Sequence, residues 1–154
     1  MGKQMNTALK RLHDIQKNNL LGGGKAHIER QHRRGKLTAR ERIECLVDPD
    51  SFKELGSCVN TTGSRIDGRT SSAPCDGAVT GTARVDGRPV AVYASDFTVL
   101  GGSIGTQHGL KFVKLMEMAA KWGIPMFWLL DSSGGRLGYQ DCLLYTSPSP
   151  RDHL

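Results

Sequence analysis

The sequence predicts an α/β fold built around one strand–helix–strand unit, and three patterns indicate it. Residues 90–95 (VAVYAS) and 125–131 (PMFWLLD) are nearly continuous apolar runs, as expected for strands that are buried on both faces. Residues 110–122 between them have the periodicity of an amphipathic helix, and a glycine-rich turn follows each strand. Such a unit requires a parallel strand pair with a right-handed crossover, so both turns are expected at the same edge of the sheet.

The N-terminal segment, residues 1–48, is predicted to be helical and basic. Apolar residues at three- and four-residue spacing predict a helix over residues 4–19, and a second short basic helix is expected over residues 25–34. Thr38 followed three positions later by Glu41 matches a capping box, which predicts the start of a third helix. This third helix is expected to end at Asp48-Pro49, with three residues facing a core: Ile43, Leu46 and Val47.

Between these helices and the first apolar strand, the sequence predicts a loop and then a hairpin. Residues 56–75 are rich in Gly, Ser, Thr and Arg without a clear period, so we interpret them as a long loop. Asp86-Gly87 separates two β runs and is a strong hairpin signal. In the helix over residues 110–122, five residues are expected to point inward: Phe112, Leu115, Met116, Ala119 and Trp122.

Charge and composition exclude several functional classes. Residues 1–42 contain eleven Lys or Arg against three acidic residues, whereas the rest of the chain is slightly acidic, so a uniformly basic nucleic-acid binder is not expected. No apolar run is long enough to span a membrane and no signal pattern opens the chain, which predicts a cytoplasmic protein without a membrane partner. The cysteines lack CxxC spacing, so we predict free thiols and no metal site.

The two glycine turns allow three chemistries. Gly101 to Gly105 follows a strand, and Asp131 ends the next strand, as in a dinucleotide site, but the GxGxxG pattern is not matched. The same five residues match the GxSxG pattern of serine hydrolases, with Ser103 as nucleophile, but no histidine follows in a credible order. The third interpretation is a site in which backbone N–H groups stabilise developing negative charge on an acyl group.

Three strings in the sequence carry a resemblance to a known family: GKLTARERIECLVDPDSFKELG, DGAVTGTARVDGRPVAVYASDFTVLGGSIG and GIPMFWLLDSSGGRLG. In order and spacing they closely resemble the carboxyltransferase (beta) subunits of biotin-dependent acyl-CoA carboxylases of the propionyl-CoA and methylcrotonyl-CoA type. The resemblance implies a crotonase-like α/β fold. It also implies transfer of a carboxyl group from carboxybiotin to the α-carbon of an acyl-CoA, through an enolate held by backbone N–H groups.

The resemblance also implies site residues, a cofactor and partners. Acyl-CoA is the implied substrate, and the residues expected to line or support its pocket are Gly101, Gly102, Ser103, Ser133, Gly134, Gly135 and Arg136. The principal oxyanion glycines of the family have no counterpart in this sequence, so no catalytic residue is assigned. Biotin is expected on a partner carrier, alongside a biotin carboxylase subunit and further copies of the carboxyltransferase subunit. The basic N-terminal helices resemble the segment that borders the CoA nucleotide.

The resemblance divides the chain into three segments. After residues 1–48, residues 49–141 correspond to an incomplete carboxyltransferase domain, which is expected to be inactive alone. Residues 142–154 (CLLYTSPSPRDHL) resemble a translated sequencing adapter, so we interpret them as a non-native tail.

The turn reads DSSGGR where the family commonly has DSGGAR. The alternative functions are the carboxyltransferase subunit of a sodium-pumping biotin-dependent decarboxylase and a non-catalytic CoA-binding or assembly module.

Overall fold

A computed structural model describes residues 2–64 and 70–136. The predicted tail, residues 142–154, therefore lies outside the described residues. The helices are α1 (Gly2–Leu20), α2 (Lys25–Arg33), α3 (Ala39–Leu46) and α4 (Thr106–Trp122). The strands are β1 (Lys53–Leu55), β2 (Thr61–Ser64), β3 (Thr70–Ala73), β4 (Ala78–Val85), β5 (Arg88–Ser95) and β6 (Met126–Leu129).

The main sheet contains four strands in the order β1-β4-β5-β6. β4 pairs antiparallel with β1 and β5, and the β4–β5 turn places Asp86 and Gly87 at φ angles of 49° and 74°, as a two-residue hairpin turn requires. β5 pairs in parallel with β6, and α4 makes the crossover between them. The predicted hairpin and strand–helix–strand unit are thus confirmed, and the carboxyl ends of β5 and β6 lie side by side.

The core lies on both faces of this sheet, because side chains alternate along β4 and β5. One cluster packs under α3 and comprises Ala39, Ile43, Val79, Ala83, Val90, Val92 and Ala94. The other packs under α4 and comprises Ala78, Ala91, Tyr93, Leu115 and Ala119. The central strand β5 is therefore covered by a helix on each side, as its apolar sequence predicts.

The capping box of α3 is confirmed. The Glu41 backbone N–H donates to Thr38 Oγ1, and the Thr38 backbone N–H donates to Glu41 Oε2 at 2.7 Å. Ile43 is buried, and Leu46 and Val47 pack against the same cluster. The cap fixes where α3 begins, and that start determines which of its residues reach the sheet.

Four sequence predictions are corrected. Residues 56–75 are not one loop, because β2 and β3 pair antiparallel within this range and a one-turn 3-10 helix follows at Pro74–Gly77. α4 begins at Thr106, one turn before the predicted start. Its inward face runs through His108, Lys111, Leu115 and Ala119, so Met116 (42% exposed) and Trp122 (54% exposed) point outward. The predicted burial of β6 on both faces is wrong, because β6 is the last strand of the described sheet and Trp128 is 52% exposed.

No helix among residues 2–64 and 70–136 is long and apolar enough to cross a membrane.

Candidate functional site

The two predicted glycine turns meet at the carboxyl edge of β5 and β6. Ile104 and Gly135 form a parallel bridge, in which the Ile104 N–H donates to Gly134 O and the Arg136 N–H donates to Ile104 O, both at 2.9 Å. The Ser133 N–H donates to Gly101 O, also at 2.9 Å. The structure thus brings together all seven residues that the sequence singled out, because the parallel pairing of β5 with β6 places their turns side by side.

Most backbone N–H groups of these turns are engaged within the protein. Besides the cross-turn bonds, three donate locally: Gly102 to Val99 O (2.9 Å), Ser103 to Leu100 O (3.3 Å) and Gly134 to Ser132 Oγ (3.1 Å). The Ser132 hydroxyl in turn donates to Gly102 O at 2.7 Å. The turns therefore brace each other, and these particular amides are not directed at a ligand.

Arg136 ties the second turn to the first and to a third segment. Its Nη2 donates to Ser103 O at 2.8 Å and its Nε to Ser103 Oγ at 3.2 Å. Its Nη1 donates to Asp76 Oδ1 at 2.5 Å. Asp76 is fully buried and Arg136 is only 7% exposed, so this ion pair lies inside the protein. Because one guanidinium makes these contacts, its position depends on Ser103 and Asp76 together.

The Asp76 carboxylate also reaches the start of α4. Its Oδ2 accepts from the His108 backbone N–H at 2.7 Å, and His108 Nδ1 lies 3.1 Å from the Asp76 carbonyl oxygen. Because a carbonyl only accepts, Nδ1 carries the proton, and Nε2 accepts from the Tyr93 hydroxyl. Burial lowers the pKa of His108 to about 4 and raises the pKa of Tyr93 to about 12. His108 is therefore neutral and Tyr93 protonated near neutral pH.

Within the part of the chain that the structure describes, these contacts argue against the serine hydrolase interpretation. The Ser103 hydroxyl donates to Leu100 O at 2.8 Å and accepts from Arg136 Nε, and the residue is buried. The ring nitrogens of His108 bond to Asp76 and Tyr93 rather than to a serine. A nucleophilic serine needs a histidine within hydrogen-bond reach, and among residues 2–64 and 70–136 no histidine bonds to Ser103.

Asp131 connects the basic N-terminal segment to the site. Its carboxylate accepts from Lys36 Nζ at 3.1 Å and from Gln31 Nε2 at 3.2 Å, so it is held by protein rather than offered to a ribose. Its backbone N–H donates to Ser95 Oγ at 2.6 Å. Arg42 on α3 then bridges the two strand ends through Ser95 O (2.6 Å) and Leu129 O (3.1 Å). The basic segment is thereby anchored beside the turn that follows β6.

A cavity of about 480 Å³ lies between α4 and the segment after β1. Its apolar wall includes Leu55, Val59, Leu115 and Met118. Lys111 also lines it, with Nζ donating to the carbonyl oxygens of Cys75 (3.2 Å) and Ala78. Burial lowers the pKa of Lys111. Among the described residues, no group of three or more His, Cys, Asp or Glu could hold a metal ion.

Sequence patterns offer little signal for Asp76, His108 and Lys111. Asp76 stands in a Pro-Cys-Asp-Gly run within the range interpreted as a loop. His108 lies seven positions and Lys111 four positions before Leu115, so both fall on the buried face of α4, where polar residues are unexpected. Polar residues that continue an apolar stripe without breaking its spacing are the one sequence cue that these positions offer.

A family model, related sequences and solved structures all relate this chain to carboxyl transferases and acyl-CoA carboxylases. The carboxyl transferase domain family matches residues 30–147. The chain is 41% identical over 133 residues to the propionyl-CoA carboxylase beta chain of Roseobacter denitrificans, covering 86% of this chain and 26% of that protein. It is equally 41% identical over 136 residues to the methylmalonyl-CoA decarboxylase subunit alpha of Propionigenium modestum, with the same coverage.

A solved structure of transcarboxylase 12S, with methylmalonyl-coenzyme A and methylmalonic acid bound, superposes with a TM-score of 0.81 at 38% identity. The superposition covers 88% of this chain and 27% of the transcarboxylase chain. The chain thus spans about a quarter of the length of the relatives it matches.

Proposed function

The chain belongs to the carboxyl transferase domain family, and on that premise we propose that it is part of a subunit that transfers a carboxyl group from carboxybiotin to the α-carbon of an acyl-CoA. Its α/β core is crotonase-like, in common with its structural relatives. Relatives at about 40% identity include several propionyl-CoA carboxylase beta chains, which favours a short acyl-CoA as the substrate.

The observation that carries this proposal is the junction of the two glycine turns at the carboxyl edge of β5 and β6. In α/β sheets this edge is where ligands bind. The bridge between Ile104 and Gly135, supported by Arg136, makes a rigid wall at this edge. A rigid wall suits a reaction in which an acyl thioester must be held still while its α-carbon becomes an enolate.

The candidate residues have different roles within this proposal. Gly101, Gly102, Ser103, Ser133, Gly134, Gly135 and Arg136 form the wall that supports the acyl-CoA. Because the N–H groups of Gly102, Ser103 and Gly134 donate within the protein, the donors that stabilise the enolate oxygen are proposed to come from elsewhere in the complete subunit. No catalytic side chain is assigned among the described residues.

The cofactor and partners follow from the same family. Biotin, carried by a partner protein, would supply the activated carboxyl group after a biotin carboxylase subunit has loaded it. No described residue is assigned to biotin, so the roles proposed for this chain are confined to the acyl-CoA side. We further propose that the complete subunit assembles with copies of itself. The cytoplasmic location stays a prediction.

The proposal is tested with the complete subunit that carries this segment, combined with its biotin carboxylase and biotin carrier. We expect acid-stable label from bicarbonate to appear in the carboxylated product of propionyl-CoA, and only when ATP, carrier and acyl-CoA are all present. The absence of label with propionyl-, butyryl- and methylcrotonyl-CoA, while the carrier itself becomes carboxylated, would contradict the proposal.

The second candidate is the decarboxylase direction, favoured by the 41% identity to a methylmalonyl-CoA decarboxylase subunit alpha. In that case the subunit would remove the carboxyl group from a methylmalonyl-type CoA and pass it to biotin. The two directions are separated by the partner subunits that co-purify with the protein: a biotin carboxylase supports carboxylation, and a membrane decarboxylase subunit supports the reverse reaction.

The third candidate is a CoA-binding or assembly module without catalysis. A complete subunit that binds CoA in calorimetry but transfers no carboxyl group in either direction would favour it. We also expect no transfer by the 154-residue chain assayed by itself, since it spans only about a quarter of the length of its relatives. Turnover by the chain alone would overturn that expectation.

A further inference from the structure

The backbone of the turn before β4 adopts a conformation that residues other than glycine normally avoid. Cys75 (φ 51°, ψ 15°) and Asp76 (φ 50°, ψ 33°) are both left-handed, and neither is a glycine. Two consecutive residues of this kind persist only where the surrounding structure holds them, and such residues cluster at functional sites. The contacts of Asp76 show what holds this turn.

Asp76 joins three separate segments through one buried carboxylate. Oδ1 accepts from Arg136, which also binds both the carbonyl and the hydroxyl of Ser103. Oδ2 accepts from the backbone N–H of His108 in the first turn of α4. The carboxylate is therefore linked to the turn after β6, to the turn after β5 and to the helix that follows it.

Gly105 shows how closely this arrangement is packed. A Cβ at Gly105 would lie 2.5 Å from Arg136 Nη1 and 2.8 Å from Asp76 Oδ2. Gly105 has a φ of −107°, a value open to any residue, so the backbone conformation does not require glycine there. The absence of a side chain is instead what leaves room for the ion pair.

We propose that Asp76 is a positioning residue for the acyl-CoA site: through Arg136 it holds the two joined glycine turns against the turn before β4 and the start of α4. This inference rests on the proposed function, because the turns matter only if they support the acyl-CoA. Without the carboxylate, the guanidinium loses its contact with Asp76, and the joined turns are no longer tied through it to the turn before β4 and the start of α4. Asp76 itself is fully buried and acts through Arg136.

The test uses the complete carboxyltransferase subunit with its partners, and it compares two substrates. In Asp76→Asn, which keeps the shape of the side chain and removes its charge, we expect the KM for acyl-CoA to rise about 10-fold or more. The KM for the biotin carrier should stay unchanged. A purely structural role would lower the amount of active enzyme and leave both KM values as they are.

A second variant covers the case in which Asp76→Asn does not fold. Gly105→Ala keeps both charges but places a methyl group against the ion pair, and it should raise the KM for acyl-CoA in the same way. The matched control is Glu54→Gln, which removes a carboxylate from the Arg40 ion pair and should leave the KM for acyl-CoA unchanged.

The outcomes separate this inference from the proposed function. A wild-type subunit that transfers no carboxyl group contradicts the proposed function. The role of Asp76 is then tested by calorimetry, which compares the affinity for acyl-CoA of the wild-type subunit with that of the variants. A wild-type subunit that transfers, with wild-type KM values in both Asp76→Asn and Gly105→Ala, overturns the inference alone. A rise in both KM values, or the same rise in Glu54→Gln, also overturns it.

Discussion

The backbone of Gly102 packs directly against the carbonyl oxygen of Asp131, which joins the turn after β5 to the end of β6. A Cβ at Gly102 would lie only 2.4 Å from that oxygen, and Gly102 also has a φ of +64°. Two independent constraints therefore act on one residue: a left-handed backbone and a backbone contact that leaves no room for a methyl group.

Gly102→Ala is therefore expected to destabilise the protein by more than the strain of placing alanine in a left-handed conformation, because the new methyl group also meets the Asp131 carbonyl oxygen. The matched control is Gly123→Ala, since Gly123 has the same φ of +64° at the end of α4 but no atom within 4 Å of its Cβ position. The control should lose about 1 kcal/mol, and Gly102→Ala about 2 kcal/mol more. Urea denaturation of the two variants measures the difference, and equal losses would show that the contact with Asp131 yields.

The buried His108 predicts a pH dependence of stability. Its pKa is lowered to about 4 in the folded protein, mainly by burial, and is about 6.5 in an unfolded chain. As pH falls from 6.5 to 4, the unfolded chain takes up a proton that the folded protein does not, so stability decreases through that window and levels off below it. The loss should reach about 3 kcal/mol.

The contribution of His108 can be isolated by substitution. His108→Asn retains a donor near the Asp76 carbonyl oxygen but cannot titrate in this range. The unfolding free energy of wild type, measured by urea denaturation between pH 8 and pH 4, should therefore fall more steeply than that of the variant. Parallel curves for the two proteins would contradict the assignment of a neutral, buried His108.

The parts of the fold that the sequence predicted correctly depend on local signals. Thr38 and Glu41 satisfy each other's backbone groups within one turn, and Asp86-Gly87 closes its hairpin with two residues. The apolar run of β5 is buried on both faces because it occupies the middle of the sheet. Each signal is contained within a few residues, so no knowledge of distant neighbours was needed.

The predictions that failed depend on distant neighbours. Met116 was expected to face the core, but the buried face of α4 instead includes Lys111, whose ammonium group is satisfied by the carbonyl oxygens of Cys75 and Ala78. Asp76 was not recognised because its partner Arg136 lies sixty positions later. The meeting of the two glycine turns could be predicted from the strand–helix–strand unit, whereas the ion pair that ties them to the turn before β4 could not.

The Thr38 cap predicts a small and well-defined loss of stability. Thr38→Ala removes the acceptor for the Glu41 backbone N–H at the start of α3 and should reduce the unfolding free energy by about 1 kcal/mol. Thr38→Ser keeps the hydroxyl and should leave the unfolding free energy nearly unchanged, because serine is at least as good an N-cap as threonine. Thermal melts of both variants at the same concentration measure the effect, and equal melting temperatures would indicate that the hydroxyl does not act as a cap.

The Arg40–Glu54 ion pair predicts strong coupling between two side chains. Arg40 Nη1 and Nη2 donate to the two carboxylate oxygens of Glu54 at 2.7 and 3.0 Å, and both side chains are largely buried. Removing one partner leaves the other charge buried without compensation, so Arg40→Met or Glu54→Gln alone should each cost about 3 kcal/mol. The double variant Arg40→Met/Glu54→Gln should lose clearly less than the sum of the two, since neither charge is then left unpaired. Urea denaturation of the four proteins gives the coupling energy, and losses that simply add would mean that the two charges are already compensated by solvent.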